Sequence, residues 1–262
     1  MTPPSTSVGE MLSVAQMSGP LPYILAVIFL ATLVRSTFGF GEALIAVPLL
    51  ALRVPIRVAA PLAVLVSITV AAIVVAQDWR KVHARSAGWL VLGTVAGIPL
   101  GLWMLEAADA RVVKALLALV IVSFAVHSLR GRARLRLDAD ALPWLLGCGL
   151  VAGVLGGAYG MNGPPLVVYG SLRRWSASRF RATLHAYFLP ASVMGMFGYW
   201  LAGLWAPVVT HYYLVTLPAT LIATWIGRAL NARLRDRSFL RWVYAGLLLT
   251  GLALLVQAVR GV

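Results

Sequence analysis

Two short stretches hold the residues best suited to chemistry. In the first, Arg35 precedes Gly39-Phe40-Gly41-Glu42 within one long apolar run. In the second, Tyr159-Gly160-Met161-Asn162-Gly163 leads into Pro164-Pro165, again inside an apolar run. The planar fork of an arginine suits the oxygens of a sulfonate or carboxylate. Asn162 both donates and accepts hydrogen bonds, so it suits an oxyanion without adding charge. The glycines let a ligand come close to backbone amides. Together these residues outline a binding site for a small anion.

Each of them also has a structural reading. A charge on Arg35, deep in an apolar run, costs about 2.5–3.5 kcal/mol on membrane-insertion scales and needs a partner or a wet cavity. That partner could be Glu42, or the side chain could snorkel to an interface. Glu42 opens the segment after the break, where a helix N-terminus stabilises a carboxylate. It is a candidate carrier of a coupled proton, or only the neutraliser of Arg35. Its negative charge is awkward beside an anion and leaves a cationic or zwitterionic ligand open. Asn162 could instead cap the helix that follows it. His185, near Tyr187, is the second proton-coupling candidate, but its closeness to Arg179 and Arg181 favours an interfacial place.

Other chemistries find little support. There is no His-Glu-x-x-His pair, no nucleophile elbow and no Walker loop, so neither an enzyme nor a metal or cofactor site is expected. Of the eight acidic residues only Glu42 is expected to be buried. The single cysteine, Cys148, lies in an apolar run, where packing explains it. His83, His127 and His211 fall near segment ends and carry no weight.

The elements that would position these residues are membrane helices. The chain is 61% hydrophobic and 11% charged, with a mean hydropathy of +0.89, whereas a soluble domain carries about a quarter charged residues. The net charge of +14 sits at the ends of apolar segments, where it sets topology; a nucleic-acid partner is not expected. The first twenty residues hold Glu10 and no Lys or Arg, so no secretory signal is expected and the first apolar segment is read as retained. Tryptophans 79, 89, 144, 200 and 205 fall near segment ends, as interfacial anchors do.

The apolar runs are approximately 21–52, 58–77, 87–105, 112–129, 142–172, 182–205, 209–227 and 239–259. Six have the length of one helical crossing. Runs 21–52 and 142–172 are too long for one crossing and are broken by glycine, so each reads as helix, break, short helix. Each also opens a half in which three ordinary runs follow. With Gly39 laid on Gly160, Arg53 meets Arg174 and Trp79 meets Trp200; after a short insertion, Gly101 meets Gly227. The reading is an all-α polytopic transmembrane bundle of two inverted repeats, about 21–129 and 142–259, joined by a basic linker at about 130–141, as one domain over 1–262.

Lys and Arg prefer the cytoplasmic side. The basic clusters are Arg80-Lys81 with Arg85, Arg130 to Arg136, Arg173-Arg174 with Arg179 and Arg181, and Arg228 to Arg241. Eight full crossings would put the clusters flanking 142–172 on opposite faces. Re-entrant hairpins at both broken runs bring all four to one face and leave only Arg53 and Arg57 on the wrong one, so re-entrance is preferred.

Paired broken helices in inverted repeats are the recurring plan of secondary transporters, with substrate held near the midplane. An interrupted helix survives in hydrocarbon only where protein, water or a ligand satisfies its amides. Two such N-termini facing one another make an anion cradle. The competing account is that the glycines only let helices pack tightly.

The stretches Gly39-Phe40-Gly41-Glu42-Ala43-Leu44-Ile45-Ala46-Val47-Pro48 and Gly160-Met161-Asn162-Gly163-Pro164-Pro165 resemble the repeated glycine-rich signature of the sulfite exporter and toluenesulfonate/taurine permease (TauE/SafE-like) family. The resemblance covers nearly the whole chain and departs from the family's glycine run at Glu42 and Asn162. It implies secondary export or uptake of sulfite, an organosulfonate or a related sulfur-containing or carboxylate anion, in the inner cell membrane, with a proton or cation as coupling partner. An anion channel or a non-transporting membrane subunit is the alternative, ahead of an intramembrane enzyme.

Overall fold

The first glycine stretch ends one helix and starts another. A computed structural model describes residues 21–107, 141–159, 162–201, 203–234 and 236–260, with scattered positions between 115 and 137. Helix α1 (Leu21–Phe38) closes with the Gly39 amide donating to the Arg35 carbonyl at 2.6 Å. Gly39 and Gly41 then take φ of +88° and +98°, left-handed values that a Cβ disfavours. The chain turns there into α2 (Glu42–Ala51). Helix α2 folds back along α1: the Tyr23 hydroxyl, near the start of α1, donates to the Leu49 carbonyl at 2.7 Å. The Arg53 guanidinium sits 5.8 Å from the Tyr23 ring centroid. The hairpin therefore leaves beside the point where it enters.

The second broken run repeats this shape. Helix α5 (Leu142–Tyr159) is followed by α6 (Gly163–Leu172), with Pro164 and Pro165 in its first turn, where a missing N–H costs nothing. The Leu137 amide, ahead of α5, donates to the Leu172 carbonyl at 3.1 Å, and Arg173 Nη1 donates to the Leu137 carbonyl at 2.7 Å. Here too the exit of the hairpin is tied to its entrance.

Between and after the hairpins run α3 (Ile56–Asp78), a 3₁₀ turn (Trp79–Lys81), α4 (Ala84–Ala107), α7 (Ala177–Leu201), α8 (Pro207–Arg233) and α9 (Asp236–Arg260). The described residues contain no strand. Packing is reciprocal between the halves. Helix α1 packs on α8 as α5 packs on α4; α3 packs on α8 as α7 packs on α4; and α3 meets its counterpart α7 at the centre. Close approach of α4 and α5 runs through Gly93 and Gly97 against Gly149 and Gly153, small residues that let membrane helices touch. Hydroxyl pairs reinforce the reciprocal contacts: Thr69 with Tyr213 at 2.6 Å between α3 and α8, and Thr94 with Tyr187 at 2.8 Å between α4 and α7.

Large apolar side chains cover the outside, among them Leu221, Ile222, Trp225 and Ile226 on α8 and Phe197, Trp200 and Leu201 on α7. Water would penalise such a continuous apolar coat, while lipid tails do not. Leu21–Phe38, Arg57–Lys81 and Pro207–Arg233 have the length and composition to cross a membrane.

Basic residues collect at one end. Asp78 at the end of α3 joins Lys81, Arg181 and Arg228, while His83 stacks on Trp175 with ring centroids 6.0 Å apart. Trp79, Trp144, Trp200 and Trp205 are exposed near helix ends, as interfacial anchoring requires.

Candidate functional site

Arg35 occupies the last turn of α1 and is only 5% exposed. Its Nη1 donates to Glu42 Oε2 across the break and to Ser67 Oγ of α3 at 2.6 Å. Its Nε donates to His185 Nε2 of α7 at 3.4 Å, and its guanidinium lies 5.0 Å from the Phe188 ring centroid, a cation–π distance. Ser67 continues to Ser192 of α7 at 2.8 Å. One arginine thus ties the first hairpin to the two central helices. Glu42, 3% exposed, opens α2 as expected.

Bonding within this cluster is incomplete. Arg35 Nη2 and Glu42 Oε1 are buried and have no hydrogen-bond partner among the described residues. Buried polar groups are paired in the great majority of cases, and an orphaned one costs about 1–3 kcal/mol, more when charged. The N-cap of α2 is Gly41, which has no side chain to offer its leading amides.

The histidine was expected near an interface; instead it is 0% exposed. Residues 177–188 of α7 are mostly covered by other elements, which a reading from the neighbouring arginines cannot anticipate. His185 Nδ1 lies 2.8 Å from the Arg181 carbonyl and must donate to it, which leaves Nε2 with the lone pair that accepts from Arg35. The ring is therefore neutral, and the cluster's formal charge, Arg35 against Glu42, is zero.

The second break meets the same helix. Asn162 precedes α6 but makes no capping bond with its side chain; that side chain lies near the Tyr187 hydroxyl. Tyr187 also pairs with Thr94 of α4, which bonds the Gly149 carbonyl at 3.0 Å. A Cβ placed on Gly163 would lie 3.8 Å from Phe188. One on Gly39, in the first break, would lie 3.1 Å from the Arg181 Cα and 3.5 Å from Leu184. Both breaks therefore rest on residues 181–188 of α7, about two turns or 10 Å of helix.

Other predicted positions divide. Gly41 packs near Val34, while Phe40 turns into the core toward Gly246 of α9. Gly160, Met161 and the side chain of Tyr159 lie outside the described residues. Ser67, Ser192, Tyr187 and Phe188 were not singled out from sequence as ligands; the signal available was a polar or aromatic residue inside an apolar span.

A second buried charge was also missed. Asp78, 5% exposed, accepts from Arg181 Nη1 at 2.8 Å, Lys81 at 3.0 Å and Arg228 at 3.3 Å. The expectation that Glu42 alone among the acids is buried therefore fails. Asp78 ends an apolar helix beside a basic cluster, and its neighbours fold over it. Asn231 of α8 donates to the Thr37 carbonyl at 2.7 Å, linking this basic end to the first break.

The model of the family described as Sulfite exporter TauE/SafE matches residues 24–254, which takes in both broken helices and the network between them. No curated protein and no solved structure matches the chain. With most of its length covered, and with apolar helices built for a bilayer, this membrane protein belongs to the sulfite exporter TauE/SafE family of transporters.

Proposed function

We propose that the chain is a secondary transporter that carries a small anion across the cell membrane by alternating access, the anion being sulfite, an organosulfonate or a related sulfur-containing or carboxylate anion. The observation that carries this reading is the meeting of both helix breaks on one stretch of α7, which the buried Arg35 also reaches with an Nη2 that has no partner among the described residues. An anion there gains an arginine fork, the uncapped start of α2 and, from the second hairpin, the Asn162 amide. The family's description supports an anionic sulfur oxyacid.

Reciprocal packing of the halves supports two repeats that rock against each other about α3 and α7. The hairpins, each leaving beside its entrance, support re-entrance, with the repeats inverted and the basic clusters cytoplasmic. In that orientation the Asp78 cluster closes the cytoplasmic end by joining α3, α7 and α8.

Counterflow tests the transport reading. Proteoliposomes preloaded with unlabelled sulfite should take up labelled sulfite faster than empty ones; equal rates would make the protein a channel or a non-transporting subunit. Topology has its own check. A cysteine at the exposed Ser176, with Cys148 replaced by alanine, should react with an impermeant maleimide only after cells are opened. Labelling in intact cells would end the re-entrant arrangement.

A further inference from the structure

We infer that the coupling ion is a proton carried by Glu42, and that it is coupled to the anion because the anion and the ionised Glu42 carboxylate compete for Arg35. This deepens the binding site proposed above and rests on that reading.

Charge arithmetic carries the argument. The cluster of Arg35, Glu42 and neutral His185 has no net charge and is closed to water. An anion reaching Arg35 Nη2 meets the Glu42 carboxylate on the same guanidinium. At about 4 Å and an effective dielectric of about 20, that repulsion is worth about a thousandfold in affinity. A proton on Glu42 removes it and restores neutrality with the anion in place.

The free atoms are placed for this exchange. Glu42 Oε2 is held by Arg35, whereas Oε1 has no partner among the described residues. As a carboxylate, Oε1 is an acceptor only and repels an oxyanion. Protonated, it becomes a donor on the side chain that Arg35 Nη1 already holds. One proton therefore turns an ion pair into a two-donor clamp. The proton arrives from the same aqueous side as the anion and leaves with it, so one anion and one proton move together in either direction.

His185 does not compete for that role. Both ring nitrogens are committed, Nδ1 to the Arg181 carbonyl and Nε2 to Arg35. A proton on Nε2 would break the Arg35 bond and set a cation between two arginines. The remaining surroundings of Glu42 are inert to protons. Helix α2 packs on α1 and α3. The nearest charged group from α1 is Arg35, and α3 has no titratable residue between Arg57 and Asp78. From α7 the charged or titratable groups are His185 and, one turn back, Arg181, which is held by Asp78.

The test uses the full chain in proteoliposomes, with labelled methanesulfonate, monoanionic throughout about pH 5–8, and sulfite in parallel. An acid-outside gradient of about one pH unit should accumulate methanesulfonate about tenfold, and an imposed potassium diffusion potential should not change the ratio. In Glu42→Gln the ratio should fall to one, with exchange no longer dependent on pH. Should that variant not fold, proton uptake by the detergent-solubilised wild-type protein decides: adding methanesulfonate in weak buffer should bind one proton per anion. Wild-type exchange of both probes that ignores the pH gradient overturns the inference alone, as does a Glu42→Gln protein that still accumulates anion or one that folds without exchanging. Failure of the wild type to exchange either probe overturns the transport reading and this inference with it.

Discussion

The two hairpins share a backbone plan and differ in chemistry. Each is a long helix, a break and a ten-residue helix whose far end returns to the hairpin's entrance. Each break rests on α7. The first presents Arg35 and Glu42, a buried ion pair in which each side chain keeps an atom without a partner among the described residues. The second, in its described residues, presents Asn162, whose amide lies near the uncharged Tyr187. The two hairpins thus share a frame, while only the first, among the described residues, holds the charge. Such an asymmetry suits a carrier of a single anion. Two arginines would bind a monovalent oxyanion too tightly to release it, and two neutral tips would give it no reason to leave water.

The comparison breaks most visibly if the charge is removed from one tip and the amide from the other. Arg35→Ala leaves Glu42 buried without its cation, a change that costs about 3–5 kcal/mol. Thermal unfolding should report that loss, and anion exchange should vanish. Arg35→Met combined with Glu42→Leu should recover most of the stability, because a buried pair is often replaceable by apolar groups, yet exchange should stay absent. Asn162→Ala should cost only about 1 kcal/mol and weaken anion affinity about fivefold. Equal losses from Arg35→Ala and Asn162→Ala would show that the two tips share the binding, and the asymmetry would be gone.

Much of this arrangement can be traced to identifiable residues. The breaks follow from Gly39 and Gly41, which hold φ values that other residues resist, and from Pro164-Pro165, which favour a helix start. The pairing of Arg35 with Glu42 was one of the readings open from sequence, since both are charges in one apolar run. The third dimension was not available. His185 looked interfacial beside Arg179 and Arg181, but α7 is covered along its first turns and places the ring between Arg35 and the Arg181 carbonyl. Asp78 was not among the acids expected to be buried, yet three cations from the 3₁₀ turn, α7 and α8 close over it. Ser67 and Ser192 are 2.8 Å apart across the two halves, a contact that no local pattern in either segment encodes.

A smaller perturbation sharpens the comparison at the level of backbone. Gly39 holds φ of +88°, and a Cβ there would approach the Arg181 Cα to 3.1 Å. Alanine must therefore bear left-handed strain of about 1–2 kcal/mol and push against a backbone atom that cannot rotate away. Gly163, the first residue of α6, has ordinary helical geometry, and its Cβ would meet only Phe188, at 3.8 Å. Gly39→Ala should lower stability by about 2 kcal/mol and slow exchange, because it separates the first hairpin from α7, where Arg35 finds His185. Gly163→Ala should stay within about 0.5 kcal/mol of wild type. Measured by thermal unfolding and initial exchange rate, a Gly163→Ala loss as large as that of Gly39→Ala would mean that both tips need glycine for the same reason. The second tip would then be as tightly seated on α7 as the first, and the difference between the repeats would lie in charge alone.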